Sequence, residues 1–191
     1  MKTVPARVTE AQARAHFHNK RFGWLGRMLS RLWPRGAPPN AGLPRLELIW
    51  MPHYLVELEA SGRGKNALVH LAVDAYAGTF MIVELGGGFQ DAEPETAFPP
   101  RMDAQEAERI GRQELLRAIM RRRGQRDRPT PQGTTSVTLF YYPFWVWYYE
   151  RLPGAIDIAL HDAASGDKTG PKMKTAVLSA FAKAGVRKRA E

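Results

Sequence analysis

Apolar and polar positions alternate along residues 46–59, with Leu46, Leu48, Trp50, Tyr54, Val56 and Leu58 on one face and Glu47, His53, Glu57 and Glu59 on the other. A period of two is that of an antiparallel strand with one packed face and one wet face. After Asp103 the period lengthens to a helical one. Ala107, Ile110, Gly111, Leu115, Ala118 and Ile119 recur three and four apart, with Arg109, Arg112 and Arg117 elsewhere on the surface and Gly124 at the stop. A terminal helix is predicted over residues 170–185, with Met173, Val177, Leu178 and Phe181 on one stripe. Residues 141–149 are aromatic on both faces: Tyr141, Trp145, Trp147 and Tyr149 on one, Phe140, Tyr142, Phe144 and Tyr148 on the other.

The pattern runs twice in the same order. LIWMPHYLVELE at 48–59 aligns without a gap to LFYYPFWVWYYE at 139–150, pairing Trp50 with Tyr141, Pro52 with Pro143 and Tyr54 with Trp145. ALVHLAVDAYAG at 67–78 aligns to AIDIALHDAASG at 155–166, pairing Asp74 with Asp162 and Gly78 with Gly166. Upstream, VTEAQA at 8–13 matches MDAQEA at 102–107, and each has capping-box spacing, Thr9 with Gln12 and Asp103 with Glu106. The expected fold is therefore α+β, with two tandem pseudo-repeats over residues 1–90 and 101–191. Each is a helix followed by an antiparallel β-meander, and the second is closed by a C-terminal helix.

Within each copy a turn leads to a shorter strand ending in Asp-Ala-x-x-Gly, where the Asp side chain caps backbone amides and the Gly takes a positive φ. Copy one continues into a third strand over residues 80–85. Pro52 and Pro143 each remove a ladder donor at the same place, which points to an edge strand or a bulge. Residues 34–44, 86–100 and 124–133 read as loops rich in Pro, Gly and Glu.

The 191 residues contain no cysteine, which excludes a disulfide framework, a thiolate nucleophile and a cysteine zinc site. Arg7, Glu10, Arg14, Lys20 and Arg21 stand where a secretory signal needs an apolar run, and no stretch approaches the roughly eighteen apolar residues of a membrane span. A soluble cytoplasmic protein is the expectation. The net charge of +9 is uneven: residues 1–45 hold nine Lys and Arg against Glu10, whereas residues 46–100 hold two against eight acidic residues. The predicted helices are basic and the predicted strands are not.

A capped helix followed by a meander whose hairpin ends in Asp74-Ala75 with Gly78, and again in Asp162-Ala163 with Gly166, resembles the PepSY-like modules of bacteria, here in tandem. The Tyr-Tyr-Pro-Phe-Trp-Val segment also looks like repeats found beside zinc ribbons, although this chain has no ribbon. The PepSY resemblance implies a protein-binding or inhibitory element, of a kind usually found outside the cytoplasm.

No residue set announces catalysis, a metal or a cofactor. His16 and His18 lie two apart, whereas a helical ligand pair needs a spacing of three or four. Neither a Gly-x-Ser-x-Gly elbow nor a phosphate-binding Gly-Lys-Ser/Thr loop is present. Asp74, Asp162 and His53 would form an acid/base site only if the fold brought them together.

Three surfaces remain as candidates. The aromatic segment, with Trp145 and Trp147 at its centre, either packs against a sister copy or a homodimer mate or forms a platform for a ligand. Residues 20–35, with Trp24, Leu29, Arg31 and Trp33, make a basic amphipathic stretch able to lie on an anionic membrane or to pack on the sheet. Arg121, Arg122, Arg123 and Arg126, with the basic tail at 187–189, suit an acidic protein partner or, as an alternative, nucleic-acid phosphates. The leading expectation is a non-catalytic module that offers a basic helical face to an acidic protein.

Overall fold

The computed structural model describes residues 1–21, 45–62, 65–83, 88–121, 130–152 and 155–187. Among these residues seven strands and three helices follow one another in the order β1 (Lys2–Thr3), α1 (Glu10–Arg21), β2 (Leu46–Gly62), β3 (Lys65–Asp74), β4 (Phe80–Ile82), β5 (Gln90–Asp91), α2 (Ala104–Arg121), β6 (Thr130–Leu152), β7 (Ala155–Asp162) and α3 (Pro171–Arg187). The chain is α+β, and all seven strands lie in one sheet. Among the described residues no helix is long and apolar enough to cross a membrane.

The capping boxes start the helices. The Gln12 amide donates to Thr9 Oγ1 at 3.3 Å and the Thr9 amide to Gln12 Oε1 at 2.8 Å, which satisfies two amides at the start of α1. At α2 the Glu106 amide donates to Asp103 Oδ1 at 2.8 Å, but the Glu106 side chain turns to Arg109 instead.

The sheet is built on β2 and β6, the two longest strands. They pair antiparallel from Leu46 opposite Trp147 to Ser61 opposite Thr130. Hairpin partners flank them: β3 pairs with β2, β7 pairs with β6, and the sheet runs β4-β3-β2-β6-β1-β5. Pro52 and Pro143 therefore lie in the two central strands, fully buried, and at neither an edge nor a bulge. The Pro52 carbonyl accepts the Ala75 amide at 3.0 Å and the Pro143 carbonyl the Ala163 amide at 3.1 Å. Each proline nitrogen consequently points outward past the end of the hairpin mate, and no β2–β6 ladder bond is lost. The irregularity falls elsewhere, between Glu57 and Ala60.

Both hairpins end alike. His53 is opposite Asp74 and Phe144 is opposite Asp162. Asp74 accepts the Tyr76 and Ala77 amides, Asp162 accepts those of Ala164 and Ser165, and Gly78 and Gly166 hold φ of 63° and 79°. Each turn then receives the other hairpin's helix. The amides of Arg7 and Val8, leading into α1, donate to Ala163 O at 2.8 and 2.9 Å; those of Arg101 and Met102, leading into α2, both donate to Ala75 O at 3.2 Å. Trp145 Nε1 donates to Val8 O and the Tyr54 hydroxyl to Met102 O, at 2.9 and 3.0 Å.

Both of these helices pack on one face of the sheet. Ala107 and Leu115 of α2 meet Tyr54, Val56 and Val73, while Ala13 and Phe17 of α1 meet Leu46 and Trp147. The other face carries α3, through Met173, Ala176, Val177, Ala180 and Phe181 against Phe144, Val146, Tyr148, Ile158 and Leu160. The expected α3 stripe is corrected at Leu178, which is exposed: the buried positions Met173, Ala176, Val177 and Ala180 recur three and four apart, and Leu178 lies off that stripe. The predicted third strand over residues 80–85 is seen as β4, Phe80–Ile82, and residues 84 and 85 lie outside the described residues.

The turn glycines give a graded prediction. A Cβ on Gly166 would sit 3.7 Å from Val8 Cγ2, in ordinary contact, whereas one on Gly78 would meet Ile110 Cδ1 at 3.1 Å. Gly166→Ala is expected to cost about 1 kcal/mol, from the left-handed backbone alone, and Gly78→Ala about 2 kcal/mol or more, as read by urea unfolding.

Candidate functional site

His53 lies in the middle of β2, with its ring 5.6 Å from that of Phe140 and 5.7 Å from that of Tyr142. Its Nδ1 is 3.1 Å from Met51 O. A carbonyl only accepts, so Nδ1 carries the hydrogen and Nε2 the lone pair of the neutral ring. Burial holds the His53 pKa below the ordinary value, outweighing the upward pull of Asp74, the Met51 carbonyl and Asp162. On the same sheet face the Tyr142 hydroxyl donates to both Asp162 oxygens, at 3.1 and 2.9 Å. Burial first, and the Asp162 carboxylate second, push the Tyr142 pKa far above its usual range.

The fold thus gathers the three groups that the sequence could not place together: Asp74 and Asp162 both act on His53. Yet His53 is 2% and Asp74 1% exposed. Both carboxylates accept turn amides, so their oxygens are already engaged in holding the turns. The cluster's chemistry is to fix the ends of β3 and β7 beside the central strands.

A second polar row crosses β6, β2 and β3. The Ser136 hydroxyl donates to Glu57 Oε2, and His70 Nε2 lies 3.2 Å from Glu57 Oε1. Activating a serine requires an imidazole between hydroxyl and carboxylate. Here the carboxylate is in the middle and simply holds both neighbours.

The residues expected to bind partners fall as follows. Trp24, Leu29, Arg31, Trp33, Arg122, Arg123 and Arg126 lie outside the described residues. Arg121 is exposed at the end of α2. Trp147 is 3% exposed, stacked on Phe17 with Arg45 over its ring, and Trp145 is half-buried beside α1. The opposite aromatic face, with Phe144 and Tyr148, lies under α3. The basic surface of α2 is largely matched by its own acids: Arg109 pairs with Glu106, Arg112 with Glu108 and Arg117 with Glu114. Such exposed pairs add little stability but do cancel charge.

What sequence reasoning missed is the edge of the sheet. β4 pairs with β3 only across Leu71–Val73, and Leu68, Met81 and Ile82 are 47%, 49% and 56% exposed. β3 carries a charge only at its two ends, Lys65 and Asp74, and between them, as from Phe80 to Val83, there is no Lys, Arg or Pro, residues that normally guard an edge. The run Phe-Met-Ile-Val was the available signal. No protein-family model, curated protein or solved structure matches the chain.

The depressed His53 pKa fixes a pH dependence. The unfolded chain binds the His53 proton more readily than the folded one, so stability from this site is complete well above the ordinary value of 6.5 and falls as pH drops below it. The slope approaches about 1.4 kcal/mol per pH unit at most. His53→Phe, which copies the residue at aligned position 144, is expected to flatten the urea-measured stability of the variant relative to the parent between about pH 4.5 and pH 7.

Proposed function

We propose that the chain is a non-catalytic, cytoplasmic interaction module of two tandem PepSY-like units, which binds a protein partner by strand addition at the β3–β4 edge. The observation that carries this reading is the apolar stretch of that edge, with Leu68, Met81 and Ile82 exposed. An extended segment laid along β4 gains main-chain hydrogen bonds, and its alternate side chains meet exposed apolar groups. Arg121 and the basic stretch that follows it in sequence favour a partner with acidic character near the paired strand.

The tandem arrangement is supported by the matching pairs of bonds already described. Aligned residues Tyr54 and Trp145 reach the carbonyls of aligned residues Met102 and Val8, and aligned prolines accept the amides of aligned alanines. The non-catalytic character is supported by the structural employment of Asp74, Asp162 and Glu57.

Photo-crosslinking from position 82 in cells tests the edge, with position 178, an exposed site on α3, as control. A discrete protein adduct from position 82 alone is expected, lost in Met81→Lys, which leaves thermal stability within about 0.5 kcal/mol because position 81 is exposed. Equal adducts from both positions, or none from 82, sink the reading.

A further inference from the structure

β7 lies on the far side of β6 from β2, on the opposite side of the sheet from β4. Among the described residues it pairs only with β6, apart from a single bridge of His161 to Lys168. The ladder fixes which groups its outer flank presents. The Asp162 amide donates to Asp167 O at 3.4 Å, away from β6, and alternate residues of an antiparallel strand share a flank. Leu160, Ile158 and Ile156 therefore also turn their N–H and C=O groups outward, as a template on which another strand can pair.

The first half shows that this flank is competent to pair. β3 aligns with β7, and its outward His70 carbonyl accepts the Val83 amide at 2.9 Å while β4 pairs along Leu71–Val73. His70 aligns with Ile158, and Val69 with Asp157.

At β7 a side chain stands where that strand would lie. The outward Ile158 amide donates to Oδ1 of its own neighbour, Asp157, at 2.8 Å. Lys174 Nζ of α3 lies 2.6 Å from the same oxygen, and the Tyr149 hydroxyl donates to Oδ2 at 2.9 Å. Burial alone raises the Asp157 pKa, but Lys174, the Ile158 amide and Tyr149 outweigh it and hold the group below the usual carboxylate range, charged at neutral pH. A carbonyl approaching the Ile158 amide meets a donor already taken and a negative charge beside it. Tying α3 to β7 requires only Lys174 and Asp157. The bond to Ile158 plays no part in that tie, yet it occupies the central donor of the edge.

The spacing of the outward groups says what such a guard excludes. Two β7 strands can run antiparallel with Ile158 opposite Ile158 and Ile156 opposite Leu160, an isologous contact that closes as a dimer. Residues 155–160 carry no charge besides Asp157, so without it an uncharged, β-prone stretch is left along the edge.

We propose that Asp157, held by Lys174, is a guard that keeps the β7 edge of one molecule from pairing with the β7 edge of a second copy of the chain. The guard acts whether or not a partner adds a strand at β4.

Light scattering of the full-length chain over a concentration series tests this, with urea unfolding to verify the fold. All variants carry Met81→Lys, so that association at the β4 edge does not contribute. Asp157→Val, which copies the aligned Val69, is expected to raise the mass to about twice that of the Met81→Lys chain at the top of the series. Adding Ile156→Pro is expected to return it to the starting value, because position 156 turns its amide outward and the β6 ladder keeps its bonds. Asp157→Asn keeps an acceptor for the Ile158 amide but loses the charge, and is expected to associate more weakly than Asp157→Val. A folded Asp157→Val of unchanged mass, or a rise that Ile156→Pro does not reverse, overturns the proposal and leaves Asp157 a tie between β7 and α3. If Asp157→Val does not fold, Asp157→Asn decides: unchanged mass overturns the guard, and a rise reversed by Ile156→Pro supports it.

Discussion

The antiparallel pairing of β2 with β6 is the constraint from which the remaining arrangement follows. Each strand has one flank occupied by the other, so each hairpin mate is forced to the outside, β3 beside β2 and β7 beside β6. Once those mates end at Asp74 and Asp162, a short stretch of each central strand is left with a bare flank. The chain fills it with parallel segments, Thr3 beside Tyr141 and Ala97 beside Trp50, and these segments deliver α1 and α2. A proline in each bare stretch keeps the central ladder intact because its missing donor would have pointed outward.

Charge serves this frame locally rather than globally. At the hairpin ends a carboxylate collects amides and hydroxyls, as the buried Asp74 and the half-buried Asp162 do, and on α2 it neutralises an arginine one turn away. A sum over sequence blocks therefore overstates the field of the helices, since opposite charges at three- and four-residue spacing face each other. Stability comes from apolar burial on both faces of the sheet, with α1 and α2 on one and α3 on the other.

Local chemistry was legible. The capping residues Thr9 and Asp103, the Asp-Ala-x-x-Gly turns and the terminal helix follow from short-range rules and stand where the pattern put them. Long-range pairing was not, because alternation in residues 46–59 states that a strand has two unlike faces and is silent on its neighbours. The same limit explains the prolines: a donor's direction depends on which flank is paired. It explains the aromatic segment too, whose second face is closed by α3 from the same chain. His53, Asp74 and Asp162 are scattered in sequence, and only the strand register brings them together.

The crossed docking of the helices has a consequence in time. The amides of Arg7 and Val8 are anchored on Ala163, more than one hundred and fifty residues later in the chain. During synthesis α1 leaves the ribosome well before the turn on which it rests, because that turn follows β7. At about 5–20 residues per second this leaves Ala13 and Phe17 without their partners for roughly ten seconds or more. The nascent chain thus passes through a stage in which α1 is complete in sequence but its seat has not been made, and whatever protects that helix then is part of how the protein is made.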